Sequence, residues 1–218
     1  MIIAIDGPAG SGKSTLGRML ARALNLLYID TGSMYRAIAL ATIEAALDPS
    51  NKDAVTELAQ RADINLEGDP DSLRVWLEGR NVTERIREDD ITEMSSVVSS
   101  IPGVRRAMVT RQRELGKRGG VMNGRDIGTV VFPDADFKFF LDAAAEERAE
   151  RRFKEDSLVN PEVTLAQTLA EINERDRRDS TRADSPLKIA DDAIVIDSTH
   201  LSIQAVLERM LEHVHRNH

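Results

Sequence analysis

Gly7-Pro8-Ala9-Gly10-Ser11-Gly12-Lys13-Ser14 stands directly after the apolar run Ile2-Ile3-Ala4-Ile5. The spacing is G-x-x-x-x-G-K-[ST], with a short buried strand before it and a helical pattern after it, the context this phosphate-binding loop requires. Its glycines let backbone N–H groups turn inward around phosphate oxygens, where a side chain would block the approach. Lys13 supplies a mobile point charge for the β- and γ-phosphates, and the Ser14 hydroxyl is the expected Mg²⁺ ligand. The helix that opens at Lys13-Ser14-Thr15 also points its positive dipole end at the anion. Residues 7–15 therefore predict a site for a nucleoside triphosphate with its metal ion. They do not choose among the reactions such a site can serve.

The chain has 218 residues, enough for one large domain or one core with insertions, and 41% of them are apolar. No apolar run approaches membrane-spanning length, and the N-terminus lacks a basic region followed by an apolar stretch. Zero cysteines exclude disulfides and thiolate metal sites. Together these predict a cytoplasmic protein with no membrane partner. A net charge of −8 argues against nucleic acid as a partner. The cations are nevertheless unusual, 23 Arg against 6 Lys, and many of the arginines cluster. Codon usage in a GC-rich genome explains much of that ratio; bidentate phosphate recognition, which Lys cannot provide, explains clustering.

Leu16, Met19, Leu20 and Ala23 recur at helical spacing after the loop, and residues 26–29 read as a second buried strand. Residues 30–33 read as a turn, with helices over 34–47 and 51–63. At Ile64 the pattern changes to period two. Two short strands flank Gly68-Asp69-Pro70-Asp71, and Gly79-Arg80 reads as a tight hairpin turn with Gly at its first central position. Helical signals return over 89–100 and 102–117, with Pro102 at a first helical position. Buried strands follow at 120–122, 137–141 and 193–196, and helices at 144–156, at 161–179 (capped by Asn160) and from 202 to the end. Five buried strands interleaved with helices predict a doubly wound α/β fold, with ligands at the strands' carboxyl ends.

Five further stretches carry chemistry. They are Asp30-Thr31-Gly32-Ser33-Met34-Tyr35-Arg36, the hairpin Val75-Trp76-Leu77-Glu78-Gly79-Arg80-Asn81-Val82-Thr83, the segment Asn123-Gly124-Arg125-Asp126-Ile127-Gly128-Thr129-Val130-Val131-Phe132-Pro133, Glu147-Arg148-Ala149-Glu150-Arg151-Arg152, and Glu174-Arg175-Asp176-Arg177-Arg178-Asp179-Ser180-Thr181-Arg182. From Ile2 to about Arg209 these resemble bacterial cytidylate kinases. The resemblance implies a monomeric P-loop kinase that phosphorylates CMP and dCMP from ATP with Mg²⁺. It also implies a five-stranded parallel sheet of order 2-3-1-4-5, a small antiparallel insert and a helical lid. Residues 1–34, 102–147 and 161–218 would form the core, 35–101 the CMP-binding region with its insert at 64–88, and 148–160 the lid.

Carried over position by position, Ser96, Arg105 and Asp126 resemble the family's cytosine pocket. Cytosine suits them: its N4 amino group donates to a carboxylate, while N3 and O2 accept from Arg and Ser. Uracil would present O4 to Asp126 and an N3–H to Arg105, leaving buried groups mispaired. Arg36, Arg125 and Arg182 resemble the acceptor-phosphate clamp, with Arg175 and Asp179 on the sugar and phosphate side and Thr31 and Tyr35 lining the site. Helix-surface ion pairs are the competing use of Arg175 and Arg182, because Glu174, Asp176 and Asp179 lie at partner spacing. Arg148, Arg151 and Arg152 resemble lid arginines that fold over ATP. One departure stands out: the residue before Gly124 is commonly acidic in that family and is Asn123 here, which puts the handling of hydrated Mg²⁺ in question.

Such a reaction needs no general base. A phosphate monoester has a second pKa of about 6, so its oxygen is already largely ionised near neutrality. His200, His213, His215 and His218 all lie near the C-terminus, away from every motif. The expected catalytic groups are therefore cations: Lys13, Arg125, Arg148 and Arg182. A shikimate kinase would share the loop but carry Asp-x-Asp after the second strand, where Asp30-Thr31-Gly32 stands. An adenylate or UMP/CMP kinase would lack the hairpin and Asp126. A GTPase switch would need Asn-Lys-x-Asp, which is absent.

Overall fold

The computed structural model describes residues 1–158 and 160–216. The elements run β1 (Ile2–Asp6), α1 (Lys13–Ala23), β2 (Tyr28–Asp30), α2 (Thr31–Glu44), α3 (Lys52–Arg61), β3 (Ile64–Glu67), β4 (Arg74–Leu77), β5 (Arg80–Asn81), α4 (Asp89–Val98), α5 (Pro102–Gly116), β6 (Gly120–Asn123), β7 (Phe137–Asp142), α6 (Ala145–Asp156), α7 (Leu165–Thr181), β8 (Ile194–Asp197) and α8 (Ile203–Arg216). Residue 159 of the expected lid and residues 217–218 of the expected C-terminal helix, His218 included, lie outside the described residues.

Five strands form one sheet in the order β2-β6-β1-β7-β8, every neighbouring pair parallel. Numbered among themselves along the chain, these strands have the expected order 2-3-1-4-5. The run Ile3-Ala4-Ile5 is central and fully buried, as a continuous apolar strand in a parallel sheet must be. Its period-two alternation divides the two faces. Ile3 and Ile5 pack with Leu16 and Leu20 of α1 and with Val206 and Met210 of α8, while Ala4 packs with Val109 of α5, Met122 and Ile127. A separate core joins α2 to the β3-β4-β5 insert and to α3, α4 and α5, through residues such as Ile38, Val55, Leu77, Ile91 and Met108.

Three local expectations are corrected. Residues 30–33 are not a free turn: α2 starts at Thr31, and Asp30 caps it by accepting from Gly32 N (3.0 Å) and from Ser33 Oγ (3.1 Å). Helix α7 starts at Leu165 rather than Pro161, because Thr164 and Gln167 form a reciprocal capping box. In the hairpin, Leu77 pairs with Arg80, so the two central residues are Glu78 and Gly79, at φ 49° and 72°. Both are left-handed, which matches the twist of the flanking strands, and Gly79 takes the second central position. Glu78 is held there by bonds to Asp63: its N–H donates to the Asp63 carbonyl and its Oε1 accepts from Asp63 N, each at 2.9 Å.

Candidate active site

The phosphate loop lies between β1 and α1, as its motif requires. Gly12 is left-handed (φ 86°, ψ 8°) and serves as the N-cap of α1. Gly7 passes so close to β7 that a Cβ there would collide with the Leu141 carbonyl oxygen. Lys13 is buried, with Nζ turned onto Pro8 O (2.5 Å) and Ser11 Oγ (3.2 Å). Burial, and then the positive charges of Arg125 and Arg175, hold this lysine well below its ordinary pKa.

Three strand ends converge beside the loop. Asp6 ends β1, Asp30 ends β2 and Asn123 ends β6. Asn123 Nδ2 donates to Ser14 Oγ (3.1 Å) and to Asp30 Oδ1 (3.4 Å), and Thr31 Oγ1 donates to the Asn123 carbonyl (2.8 Å). Asn123 Oδ1 is buried without a hydrogen-bond partner. An exposed Ser14, an unpaired amide oxygen and the Asp30 carboxylate are hard oxygen donors of the kind Mg²⁺ takes. Among the described residues no group of three or more His, Cys, Asp or Glu could hold a metal ion. Mg²⁺ is commonly bound through one or two protein oxygens together with substrate phosphates and waters.

Across the cleft, Arg105 of α5 and Asp126 form an ion pair at 2.5 Å, with side chains only 2% and 4% exposed. Arg105 also donates to Ser99 O (3.2 Å), and its guanidinium lies 5.2 Å from the centroid of the buried Tyr35 ring. Arg182 Nη2 lies 3.9 Å from the other Asp126 oxygen; it and Arg105 Nε are buried without partners. Tyr35 OH is likewise unpaired, and burial pushes its phenol up to about 12. Asp179 bridges the neighbouring cations, accepting from Arg125 Nε (2.8 Å) and Arg182 Nη1 (3.2 Å). Burial raises the Asp179 carboxyl, but Arg125, Arg175 and Arg182 outweigh it and hold the group below its usual range.

Arg36 and Arg175 make no ion pair within 4 Å among the described residues. Burial lowers both. Arg175 falls to about 10, with repulsion from Arg125, Arg36 and Arg152 adding to burial. The site thus brings together Lys13, Arg36, Arg125, Arg152 and Arg175, close enough for charge to act between neighbours, while Arg182 is acted on by Arg105 and linked to Arg125 through Asp179.

Ser96 sits on α4, where its Oγ accepts from Arg178 Nη1 (3.2 Å). Its hydroxyl bonds Arg178, which the sequence offered only as one of an arginine cluster, rather than Arg105 or Asp126. The three arginines of α6 separate. Arg151 turns away to the loop after β8, donating to Ser198 Oγ (3.2 Å) and Ser198 O (2.7 Å). Arg152 pairs with Asp156 (2.6 Å) while its charge reaches Arg36 and Arg175. Arg148 is buried beneath the phosphate loop, bonded to Ala9 O (2.8 Å), Ala143 O (2.8 Å) and Asp176 (2.5 Å).

Sequence reasoning passed over Asp6. It is buried, and its two oxygens accept from Ile127 N (2.9 Å) and Gly128 N (2.8 Å), so the end of β1 holds the segment that presents Asp126. Its place immediately before Gly7 was the available signal. Ile127–Val131 is itself a short π-helical turn, closed by Phe132 N on Ile127 O at 2.7 Å.

The family model for cytidylate kinase matches residues 3–216. This chain belongs to the cytidylate kinase family. A cytidylate kinase from Caldanaerobacter subterraneus subsp. tengcongensis is 48% identical over 216 residues, covering 99% of this chain and 95% of that protein. One from Solibacter usitatus is 49% identical, covering 97% and 91%. The chain also matches, at 45% identity, a bifunctional pantoate ligase/cytidylate kinase from Synechococcus, of which it covers 40%. Among solved structures, an uncharacterized protein from Eubacterium ventriosum aligns over 99% of this kinase and 98% of that chain. Its TM-score is 0.54 and its identity 11%, a likeness of fold alone.

Proposed function

We propose that this cytidylate kinase transfers the γ-phosphoryl group of ATP to a 5′-phosphate oxygen of CMP or dCMP, giving ADP and CDP or dCDP. One observation carries the choice of acceptor: a buried Arg105–Asp126 pair, with Arg105 Nε left without a partner, stands beside an arginine cluster in which Arg36 and Arg175 make no ion pair among the described residues. Residues 7–15 hold the triphosphate. Arg36, Arg125, Arg175 and Arg182 receive the acceptor phosphate, with Asp179 bridging Arg125 and Arg182. Asp126 accepts from the cytosine N4 amino group and Arg105 donates to the ring, while Tyr35 and Thr31 close the wall behind them. Ser96 reaches the base through Arg178 or after a rotamer change.

The acceptor oxygen is already an anion, so no residue has to remove a proton. The protein's task is to hold two polyanions in line and to stabilise charge on the migrating group with fixed cations in a largely buried site. Lys13 lies between donor and acceptor. Ser14, with Asn123 and Asp30 behind it, is where Mg²⁺ would be held, and bound Mg²⁺ neutralises charge on the phosphates. The expected lid, 148–160, would exclude water, the competing acceptor, by motion of the residues beyond Arg148, which is itself fixed beneath the loop, with Arg152 toward the cleft. The kinase works as a monomer in the cytoplasm. No helix among the described residues is long and apolar enough to cross a membrane.

A coupled assay of ADP release with CMP, dCMP, UMP, AMP, GMP and shikimate tests the reading. CMP and dCMP turn over fastest, and release without an acceptor is slow. Faster turnover with UMP or AMP overturns the cytosine pocket. Lys13→Ala lowers kcat by at least ~10²-fold, and full activity in that variant removes the loop from the ATP site.

A further inference from the structure

The top of the phosphate loop is tied to the two helices that come after β7. Asp176 of α7 accepts from Ala9 N (3.0 Å) with one oxygen and from Arg148 Nη1 (2.5 Å) with the other. The same Nη1 donates to Ala9 O at 2.8 Å. The N–H and the carbonyl of one loop residue are therefore both held by one ion pair, in which Arg148 is only 7% exposed and Asp176 21%. Arg148 is fixed in turn by its Nε bond to Ala143 O, in the link between β7 and α6.

Apolar contacts reinforce this contact. Ala9, Ala149 of α6 and Ile172 of α7 form a small buried cluster against Leu169. Ile172 and Asp176 are four residues apart, so they project from one face of α7. Gly10 is left-handed, and a Cβ there would lie 3.0 Å from Arg148 O and 3.1 Å from Arg148 Cβ, so the loop backbone rests directly on α6. Three residues beyond Asp176, Asp179 holds Arg125 and Arg182 on the acceptor side. One helix thus places the rim of the donor loop and the cations of the acceptor site.

We propose that Asp176 is a positioning residue for ATP: with Arg148 it fixes the Ala9 peptide and so the rim of the loop that receives the phosphates. Arg148 then acts on ATP through Ala9 and not as an arginine that reaches the γ-phosphate. Asp176 itself touches neither substrate. The orientation of the loop N–H groups is what an N–H cradle depends on, and a peptide anchored on both sides keeps that orientation before ligand arrives.

The test uses Asp176→Asn, Arg148→Met and the double variant, each as the full chain, with KM for both substrates, kcat and Tm. An Asn at 176 can accept from Ala9 N or avoid facing Arg148 with its amide hydrogens, but it cannot do what both carboxylate oxygens do. Asp176→Asn raises KM for ATP ~10-fold, the loss of one charge-assisted bond, and leaves KM for CMP within about twofold. The double variant is no worse than the worse single, because the pair acts as one unit. An unchanged KM for ATP overturns the proposal. So do additive effects, or KM values for ATP and CMP that rise together as Tm falls. Should Asp176→Asn not fold, amide exchange at Ala9 in the natural protein decides. Protection without nucleotide supports the tie, and exchange at the rate of an open loop refutes it. The inference rests on ATP occupying residues 7–14. An inactive Lys13→Ala beside an unaffected Asp176→Asn would sink the inference alone, whereas a fully active Lys13→Ala would remove the site itself.

Discussion

Replacing Asp126 by Asn keeps the shape of the side chain and removes its charge, and the groups around it set the cost. Asp126 stands between two guanidinium groups, Arg105 at 2.5 Å and Arg182 at 3.9 Å, all with side chains at most 4% exposed. Removing one member of a buried ion pair costs about 3–5 kcal/mol, because the partner is left desolvated and uncompensated. For a chain of this size, each kcal/mol lowers Tm by about 2–4 °C. The expected fall is therefore ~6–20 °C, well above that of a surface substitution. Without Asp126 the two guanidinium groups also repel each other, and Arg105 Nε and Arg182 Nη2 already lack partners.

Selectivity changes separately. The carboxylate accepts from cytosine N4 and rejects uracil O4, whereas an Asn amide can rotate to serve either. Losing that distinction is worth about 1–3 kcal/mol in the transition state for CMP relative to UMP, or roughly 5- to 150-fold. The assay is kcat/KM for CMP and UMP, at a temperature where the melting curve shows the variant folded. A folded Asp126→Asn with an unchanged CMP/UMP ratio would refute the assignment of Asp126 to the base, whatever its effect on Tm.

Other consequences are narrower. Burial pushes the Asp6 carboxyl up from 3.8 to about 6. Between those values the folded chain holds a proton that the unfolded chain has lost, so this group favours the fold at low pH and loses that contribution as pH rises through 6. Urea titrations of wild type and Asp6→Asn between pH 4.5 and 7 should diverge, on the order of 3 kcal/mol at most, with wild type gaining toward acid; parallel profiles would contradict this. Asn123→Asp sets a second carboxylate near Asp30 Oδ1, 3.4 Å from the present amide nitrogen. At an effective dielectric of ~20 the raw repulsion is about 5 kcal/mol, so this variant melts earlier without Mg²⁺ and gains more from it. Equal Mg²⁺ responses in thermal melts of the two proteins would rule that out. Gly79→Ala meets no atom within 4 Å, so its cost is conformational alone, about 1 kcal/mol, readable as a shift in urea midpoint.

The sheet was legible because parallel strands buried on both faces read as continuous apolar runs, and Ile2-Ile3-Ala4-Ile5 could hardly be anything else. The phosphate loop was legible because its glycines are required by backbone geometry. The hairpin turn was not: Glu is a poor candidate for a left-handed residue, and only the bonds between Glu78 and Asp63 make it acceptable there. Helical spacing puts Arg148 on one face of α6 with Arg151 or Arg152 but cannot say which side of the helix meets the cleft. Packing decided that, sending Arg148 beneath the loop and Arg151 to Ser198. Asp6 and Asp176 were hidden for a simpler reason. Each acts by accepting from backbone N–H groups far along the chain, at separations of 121 and 167 residues for Ile127 and Ala9, and no local pattern encodes such a partner.

The charge distribution explains why an acidic protein concentrates arginine in one cleft. With a net charge of −8, the surface gives no general attraction for nucleotides, so the attraction has to be local. Lys13, Arg36, Arg175 and Arg182 all lie below their ordinary values, through burial first and then through neighbouring cations that partner carboxylates only partly offset. That depression reflects first the cost of burying these cations in the nucleotide-free fold, with repulsion between neighbours added to it, and two polyanionic substrates offset both. Asp179 keeps the fold tenable without them. It pairs Arg125 with Arg182 and leaves Arg36 and Arg175 without ion pairs, so the cleft is compensated on the helix that carries it and remains cationic toward the acceptor. A second carboxylate here would steady the fold further and weaken the site by the same interaction. Fixed cations that need no rearrangement as charge moves are the main catalytic resource of a phosphoryl transfer without a base.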